Sequence, residues 1–165
     1  MRDMKTRYGT HLYISLGGYE RSANFGPIVT NLKARARFID NLVAYAHENG
    51  LDGIDFDWEF PANKIELEGY LALMTAIKQA GLTVSVALYP YTDIDLQPYR
   101  IADRVYIMSY DRGARHSTFE QAVKDLEFFR EAGLPRDRLF LGVPFYGRQT
   151  IDPYTAYRFS HLYLS

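Results

Sequence analysis

Residues 51–61 read LDGIDFDWEFP, and no other stretch restricts the fold so tightly. Acidic side chains are ordinarily solvated, and strands ordinarily exclude them. Here Asp55, Asp57 and Glu59 alternate with Ile54, Phe56 and Trp58. A strand sends successive side chains to opposite faces, so one face of this strand is acidic and the other apolar. The apolar face needs a layer of helices to cover it. The acidic face must look into a place where carboxylates are tolerated, such as the interior and mouth of a barrel.

The flanking segments fit that requirement. HLYISLGG (11–18) is a β-prone run that reads as a strand reached directly from the start of the chain. Phe38, Ile39, Leu42, Val43 and Ala46 recur at helical spacing between Asn31 and Asn49, with Gly50 as a stop. Tyr70, Leu71, Met74 and Ile77 share one helical face within 64–80. LTVSVALYP (82–90) and RVYIMSYD (104–111) are strands, joined by a connection too short for a full helix. Ser117 and Glu120 have capping-box spacing before a stripe of Ala122, Val123, Leu126 and Phe129. LFLGVPFYGR (139–148) is the last clear strand, and the Tyr-rich tail from Gln149 shows no periodicity. Strands alternating with helices imply βαβ units and a parallel sheet, in either a doubly wound or a barrel fold. Polar and glycine positions at the ends of several strands (Gly17, Gly18, Glu59, Tyr89, Asp111, Tyr146) favour the barrel, whose active site is built at the carboxyl-terminal rim.

Composition removes several functional classes. The formal net charge of -1 gives no electrostatic reason to expect nucleic acid or an anionic membrane as a partner. With no Cys there is no disulfide, thiolate metal site or catalytic thiol. No apolar run approaches the ~20 residues that span a bilayer, and no signal peptide is visible in the chain. Fourteen Tyr, ten Phe and one Trp are chiefly core-filling residues, although flat rings also stack on sugars.

Neighbouring carboxylates in a partly desolvated place cannot all ionise cheaply, so at least one pKa is expected to rise. A carboxylic acid kept protonated near neutral pH can act as a general acid. Glu59, last in the series, lies at the rim, with Asp55 and Asp57 below it to share protons and tune it. Two other readings stay open at this level: a site for a hard divalent cation such as Mg²⁺ or Mn²⁺, and a solvated acidic edge strand. Against the first, no His or further carboxylate pairs with the set; His11, His47, His116 and His161 are scattered and read as ordinary residues.

DGIDFDWE (52–59) matches, at every specified position, the DGxDxDWE signature of glycoside hydrolase family 18, the chitinases and their relatives. SLGG (15–18), MSYD (108–111) and GVPFYGR (142–148) resemble the family's SxGG, MxYD and GxPxYGR motifs, in the family's order. The resemblance implies a (β/α)8 TIM-barrel of α/β class and hydrolysis of β-1,4-linked N-acetylglucosamine polymers, such as chitin, by a substrate-assisted retaining route without a cofactor or metal. Carried onto this chain, it makes Glu59 the acid on the glycosidic oxygen. Asp57 would hold the substrate's acetamido group and exchange its hydrogen bond with Asp55. Tyr110 would donate to the acetamido carbonyl, Met108 would line its pocket, and Asp111 would bond a sugar hydroxyl. Tyr146 and Arg148 would contact the sugar; their competing readings are a core ring, shared with Tyr110, and one half of a surface ion pair. Asp52 is assigned a structural role before the strand.

The chain also departs from the family pattern. Few residues precede Ser15, where the family places two earlier strands. The Trp that forms the floor beneath the scissile sugar on strand eight has no counterpart, since the single Trp is Trp58. Tyr19 stands where many relatives carry Trp after GG. Residues 1–165 are thus expected to form about strands three to seven of a barrel, with two exposed sheet edges that favour self-association. The resemblance implies an extracellular parent protein. Alternative readings of function are an endo-β-N-acetylglucosaminidase, a non-hydrolytic chitinase-like sugar-binding protein, and an inactive fragment.

Overall fold

Five parallel strands lie side by side in the order in which the chain makes them. They are β1 (Tyr13–Gly17), β2 (Gly53–Asp57), β3 (Thr83–Leu88), β4 (Arg104–Ile107) and β5 (Leu139–Leu141). A doubly wound sheet reverses its strand order part way, whereas a barrel never does. The unbroken order therefore decides for barrel topology. The structure, a computed structural model, describes residues 2–113, 115–149 and 156–158. Among the described residues the outer edges of β1 and β5 have no strand partner.

Helices α2 (Phe25–Thr30), α3 (Leu32–Asn49), α4 (Lys64–Gln79) and α5 (Phe119–Glu131) cover one face of the sheet, and a short helix, α1 (Arg2–Tyr8), precedes β1. Asn31 caps α3 by accepting the N–H groups of Lys33 and Ala34, both at 3.0 Å, and Gly50 closes it in the left-handed conformation. Ile54, Phe56 and Trp58 turn toward this layer and are buried, as the alternation requires. They meet an aromatic cluster: Phe25 stacks on Trp58 at 5.1 Å, and Tyr70 stands edge-on to Trp58 at 5.2 Å and to Phe56 at 5.7 Å. The single Trp is thus a core residue. Lys78 ties α4 to the sheet, donating to Ile101 O at 2.9 Å and to Asp103 Oδ1 at 2.5 Å, while Asp103 Oδ2 accepts Val84 N–H at 2.9 Å.

Four sequence expectations shift. The segment before β1 does not enter the strand directly but forms α1, anchored where Lys5 Nζ donates to Gly50 O (3.1 Å) and Asp52 Oδ1 (2.7 Å). The strand drawn over 139–148 is two strands. Pro144 has no N–H to continue the ladder, so β5 stops at Leu141 and β6 (Tyr146–Arg148) pairs antiparallel with β7 (Ala156–Arg158). β4 likewise ends at Ile107, leaving Met108–Asp111 beyond the ladder. Finally, the capping box of α5 is Thr118 with Gln121, one residue later than Ser117 with Glu120. Both pairs have the required spacing; the observed start puts Asp125 and Phe129, four apart, on the buried face.

Between β1 and β2 the backbones approach so closely that a side chain on Gly17 would collide with the sheet. A Cβ there would lie 2.2 Å from Asp57 O, at a φ of +105° that L-residues rarely adopt. Gly17→Ala is expected to lower stability in urea denaturation by about 2–3 kcal/mol. Gly18→Ala, whose methyl would reach only Asp57 Oδ2 at 3.7 Å, should cost less, since it adds strain in φ without the collision. Equal losses for the two would refute the close-approach reading.

Candidate active site

The parallel register sets Ser15 of β1, Asp55 of β2 and Ser85 of β3 side by side. Ser15 Oγ donates to Asp55 Oδ2 at 2.8 Å, and Ser85 Oγ donates to Asp55 Oδ1 at 2.6 Å. Both carboxylate oxygens of Asp55 are therefore engaged sideways by neighbouring strands. Ser85 is fully buried, so its hydroxyl has few other places to turn.

One layer higher, Asp57 lies over the glycine pair: its carbonyl accepts Gly18 N–H at 2.7 Å, and no side chain at Gly17 or Gly18 stands between the strands. Its carboxyl is half-buried, and Oδ1 accepts no hydrogen bond among the described residues. Burial, followed by the charge of Asp55, pushes the Asp57 pKa above the usual carboxylate value. Glu59 follows at the end of the strand, where Ser22 Oγ accepts its backbone N–H at 3.2 Å. Its pKa too is raised, by burial first and then by the charges of Asp57 and Asp111. Beside it opens a groove of about 310 Å³ lined by Glu20, Ser22, Trp58, Glu59, Phe60 and Glu66 among others. The structure thus places Asp55, Asp57 and Glu59 in ascending order toward the rim of β2. Asp55, however, holds no hydrogen bond to Asp57 here; its bonds go to the two serines.

The segment after β4 supplies the opposite wall. Met108 is buried, Tyr110 half-buried and Asp111 exposed, with Asp111 in the left-handed region at φ 62°. Burial raises the Tyr110 phenol, helped by the charges of Asp57, Asp111 and Glu59. That electrostatic coupling gathers Tyr110 with the acids of β2. Tyr146, the first residue of β6, meets the Tyr110 ring edge-on at 6.3 Å. Burial, then a hydrogen bond to Asp111, pushes its phenol upward. Arg148 pairs with Asp111, with Nε and an Nη within 2.8 and 2.6 Å of Oδ1. Its ion pair is thus inside the residue cluster that the motifs point to. Tyr110 and Tyr146 are only partly buried and stand at the rim, so neither is a core ring.

Sequence reasoning passed over three residues here. His116, an ordinary surface or core residue by its sequence, is buried, and from there it accepts Asp111 N–H at Nδ1 (3.3 Å) and stacks on Tyr146 at 5.2 Å. No spacing rule links it to Asp111, because a loop brings them together. Ser22 likewise reaches the site from the turn before α2. Ser85 was legible, being a small polar residue on the inward phase of an apolar strand. Asp52 is structural as expected: Lys5 and the Leu12 N–H hold its carboxyl below the usual range. His11 lies 3.8 Å from Asp52, far from Glu59's end of the strand, and His161 falls outside the described residues. Among the described residues no three His, Cys, Asp or Glu side chains converge as a metal site.

The chain is 27% identical over 180 residues to a probable chitinase 10 of Drosophila melanogaster, covering 85% of this chain and 8% of that protein. The crystal structure of the GH18 chitinase ChiB from Flavobacterium johnsoniae superposes with a TM-score of 0.82 at 28% identity, over 97% of this chain and 59% of that one. A plant class V chitinase mutant from Cycas revoluta, solved in complex with (GlcNAc)3, gives 0.76 at 26% identity, over 88% of this chain and 52% of that one. The chain therefore spans little more than half of these solved chitinases and less than half of the curated relatives it matches. The model of glycosyl hydrolases family 18 matches residues 1–155, and the chain belongs to that family.

Proposed function

We propose that this chain carries the acid–base half of a chitinase-like site acting on β-1,4-linked N-acetylglucosamine chains. The observation that carries the reading is the graded acidic strand. Asp55 is tied down by two hydroxyls, Asp57 is half-buried with an unpartnered buried oxygen, and Glu59 at the rim has a raised pKa. Relatives crystallised with N-acetylglucosamine oligomers support the substrate class.

In this reading protonated Glu59 gives its proton to the glycosidic oxygen as the C1–O bond breaks. The nucleophile is the substrate's own acetamido oxygen, which bonds to C1 and forms an oxazolinium ion. Asp57 Oδ1 accepts the acetamido N–H, which orients the oxygen and stabilises the positive charge that develops on the ring. The Tyr110 hydroxyl donates to the acetamido carbonyl, and Met108 lines the methyl pocket. Ionised Glu59 then takes a proton from water as the water opens the oxazolinium at C1, and the configuration is retained. Asp111, Tyr146 and Arg148 form a polar clamp for sugar hydroxyls. A raised Glu59 pKa suits this cycle because the group must be an acid in one step and a base in the next. We further propose an extracellular place of action, where polymers of this sugar are met.

Hydrolysis of a chromogenic N,N′-diacetylchitobioside tests the assignment. Glu59→Gln should lower kcat by about 10²–10⁴-fold. Equal turnover by the two proteins would remove Glu59 as the acid. No turnover by the unsubstituted chain, with oligosaccharide binding retained, would instead favour a sugar-binding protein.

The pH profile gives a second test. Activity requires Glu59 protonated in the free protein, so kcat/KM falls as pH rises through its pKa. That alkaline limb should lie above the ordinary carboxylate value of 4.5, and Asp111→Asn, which removes one of the charges raising it, should move the limb to lower pH. A limb that stays in place would detach Glu59 from Asp111.

The open edges of β1 and β5 lead to a further expectation for the isolated chain. Sedimentation should show concentration-dependent association, because unpaired strand edges recruit other chains. A monodisperse monomer across a hundred-fold concentration range would contradict it.

A further inference from the structure

Beneath the wall that carries Tyr110 and Asp111 lies an ionised-type side chain with no part in the chemistry above. Asp125, on α5, is fully buried. Ser109 Oγ donates to its Oδ2 at 2.5 Å, and the Arg112 guanidinium pairs with the same oxygen. Burying a carboxylate is costly unless it is paired and hydrogen-bonded, and since Oδ1 accepts no hydrogen bond among the described residues, the compensation falls on these two partners at Oδ2. Those partners are spaced to matter: Ser109 and Arg112 bracket Tyr110 and Asp111.

The bracketed residues need such support. The parallel ladder ends at Ile107, and the last sheet contact of the segment is Met108 N–H to Leu88 O at 2.9 Å. Asp111 sits in the left-handed region, a conformation that a residue with a side chain keeps only where its surroundings enforce it. Arg148 and the buried His116 grip Asp111 directly. Asp125 grips the residues on either side of the pair, Ser109 and Arg112. Arg112 is further covered by the Tyr91 ring at 5.6 Å, which itself leans on Phe128 of α5 at 4.8 Å. Helix α5, the strand β4 segment and the turn after β3 are thus joined through one buried ion pair.

We propose that Asp125 is a positioning residue: through Ser109 and Arg112 it fixes the backbone from which Tyr110 and Asp111 enter the site. The consequence for sugar handling rests on the function proposed above, but the positioning itself does not. Ser109 turns toward Asp125 while its neighbour Tyr110 stands on the side of the β2 acids; the left-handed turn at Asp111 then breaks the alternation and brings Arg112 to the same carboxylate as Ser109.

The test uses the full chain labelled with 3-fluorotyrosine and followed by fluorine NMR, with the Tyr110 signal assigned from Tyr110→Phe. In Asp125→Asn and in Ser109→Ala the Tyr110 signal should move toward that of the exposed Tyr19, or broaden. The signals of Tyr70 and Tyr99, both buried in the core, should stay in place and show that the fold is intact. A Tyr110 signal unchanged in folded Ser109→Ala and Asp125→Asn overturns the proposal. If Asp125→Asn alone loses the core signals, Ser109→Ala, which removes a hydrogen bond without stranding a charge, decides the matter in the same way. Titration with tri-N-acetylchitotriose separates the two ideas: affinity should fall about tenfold in Ser109→Ala, the loss of roughly one good hydrogen bond. If the unsubstituted chain binds no sugar while Tyr110 still moves, the sugar reading fails and the positioning role stands. If sugar binds and Tyr110 does not move, the positioning role fails and the sugar reading stands.

Discussion

The acids of the site are referred to the register between β1, β2 and β3. Parallel pairing sets Ser15, Asp55 and Ser85 in one row, and the two hydroxyls close on one carboxylate. A slip of one residue in either pairing would put apolar side chains beside Asp55 and turn the acids into the helix layer. The register is strongly specified from the other side of the sheet as well. Ile54, Phe56 and Trp58 are buried against Phe25 and Tyr70, and no shifted arrangement keeps all three covered. Packing on the outer face and hydrogen bonds on the inner face therefore enforce the same alignment.

That alignment also carries an electrostatic cost. Asp57 and Glu59 both have pKa values above the ordinary carboxylate value, so each binds its proton more tightly folded than unfolded. Between the unfolded and the raised folded pKa, stability declines as pH rises, and it stays lower at neutral pH. Asp52, at the other end of the same strand, behaves in the opposite sense. Lys5 and the Leu12 N–H lower its pKa, so its contribution is present above the ordinary value and is lost as pH falls through the lowered one. One strand thus carries a stabilising carboxylate at its start and destabilising ones toward its end. The unfavourable electrostatics are thus concentrated at the rim where Glu59 stands.

How much of this was legible in the chain follows from where each signal is stored. The acidic strand, the helices capped at Asn31 and stopped at Gly50, and the parallel architecture are local or periodic, and periodicity survives translation into structure. Strand ends did not survive as well: Met108–Asp111 look like a continuation of β4, yet the ladder stops where its neighbours stop. The division of 139–148 was signalled by Pro144 and overridden by the β-prone letters around it. His116 and Asp125 left no trace, since their partners are brought by loops and by a helix. A buried Asp on an amphipathic stripe looks like any solvated one until the residue opposite it is known.

The two walls of the site are held by different means, and the difference has a physical reason. The acids of β2 lie between two hydrogen-bonded neighbours, so the sheet itself supplies their order. Tyr110, Asp111 and Tyr146 lie past the ends of their strands, where backbone bonds no longer help, and side chains must replace them. Arg148 and His116 hold Asp111 itself, while Asp125 holds Ser109 and Arg112 on either side of the Tyr110–Asp111 pair. Two of these three anchors come from the sequence between β4 and β5, and the third from β6. The second wall is therefore assembled from a single stretch of chain folding back on itself. Contacts from β3 and the turn after it, Leu88 O to Met108 N–H and the Tyr91 ring over Arg112, tie that stretch to the sheet.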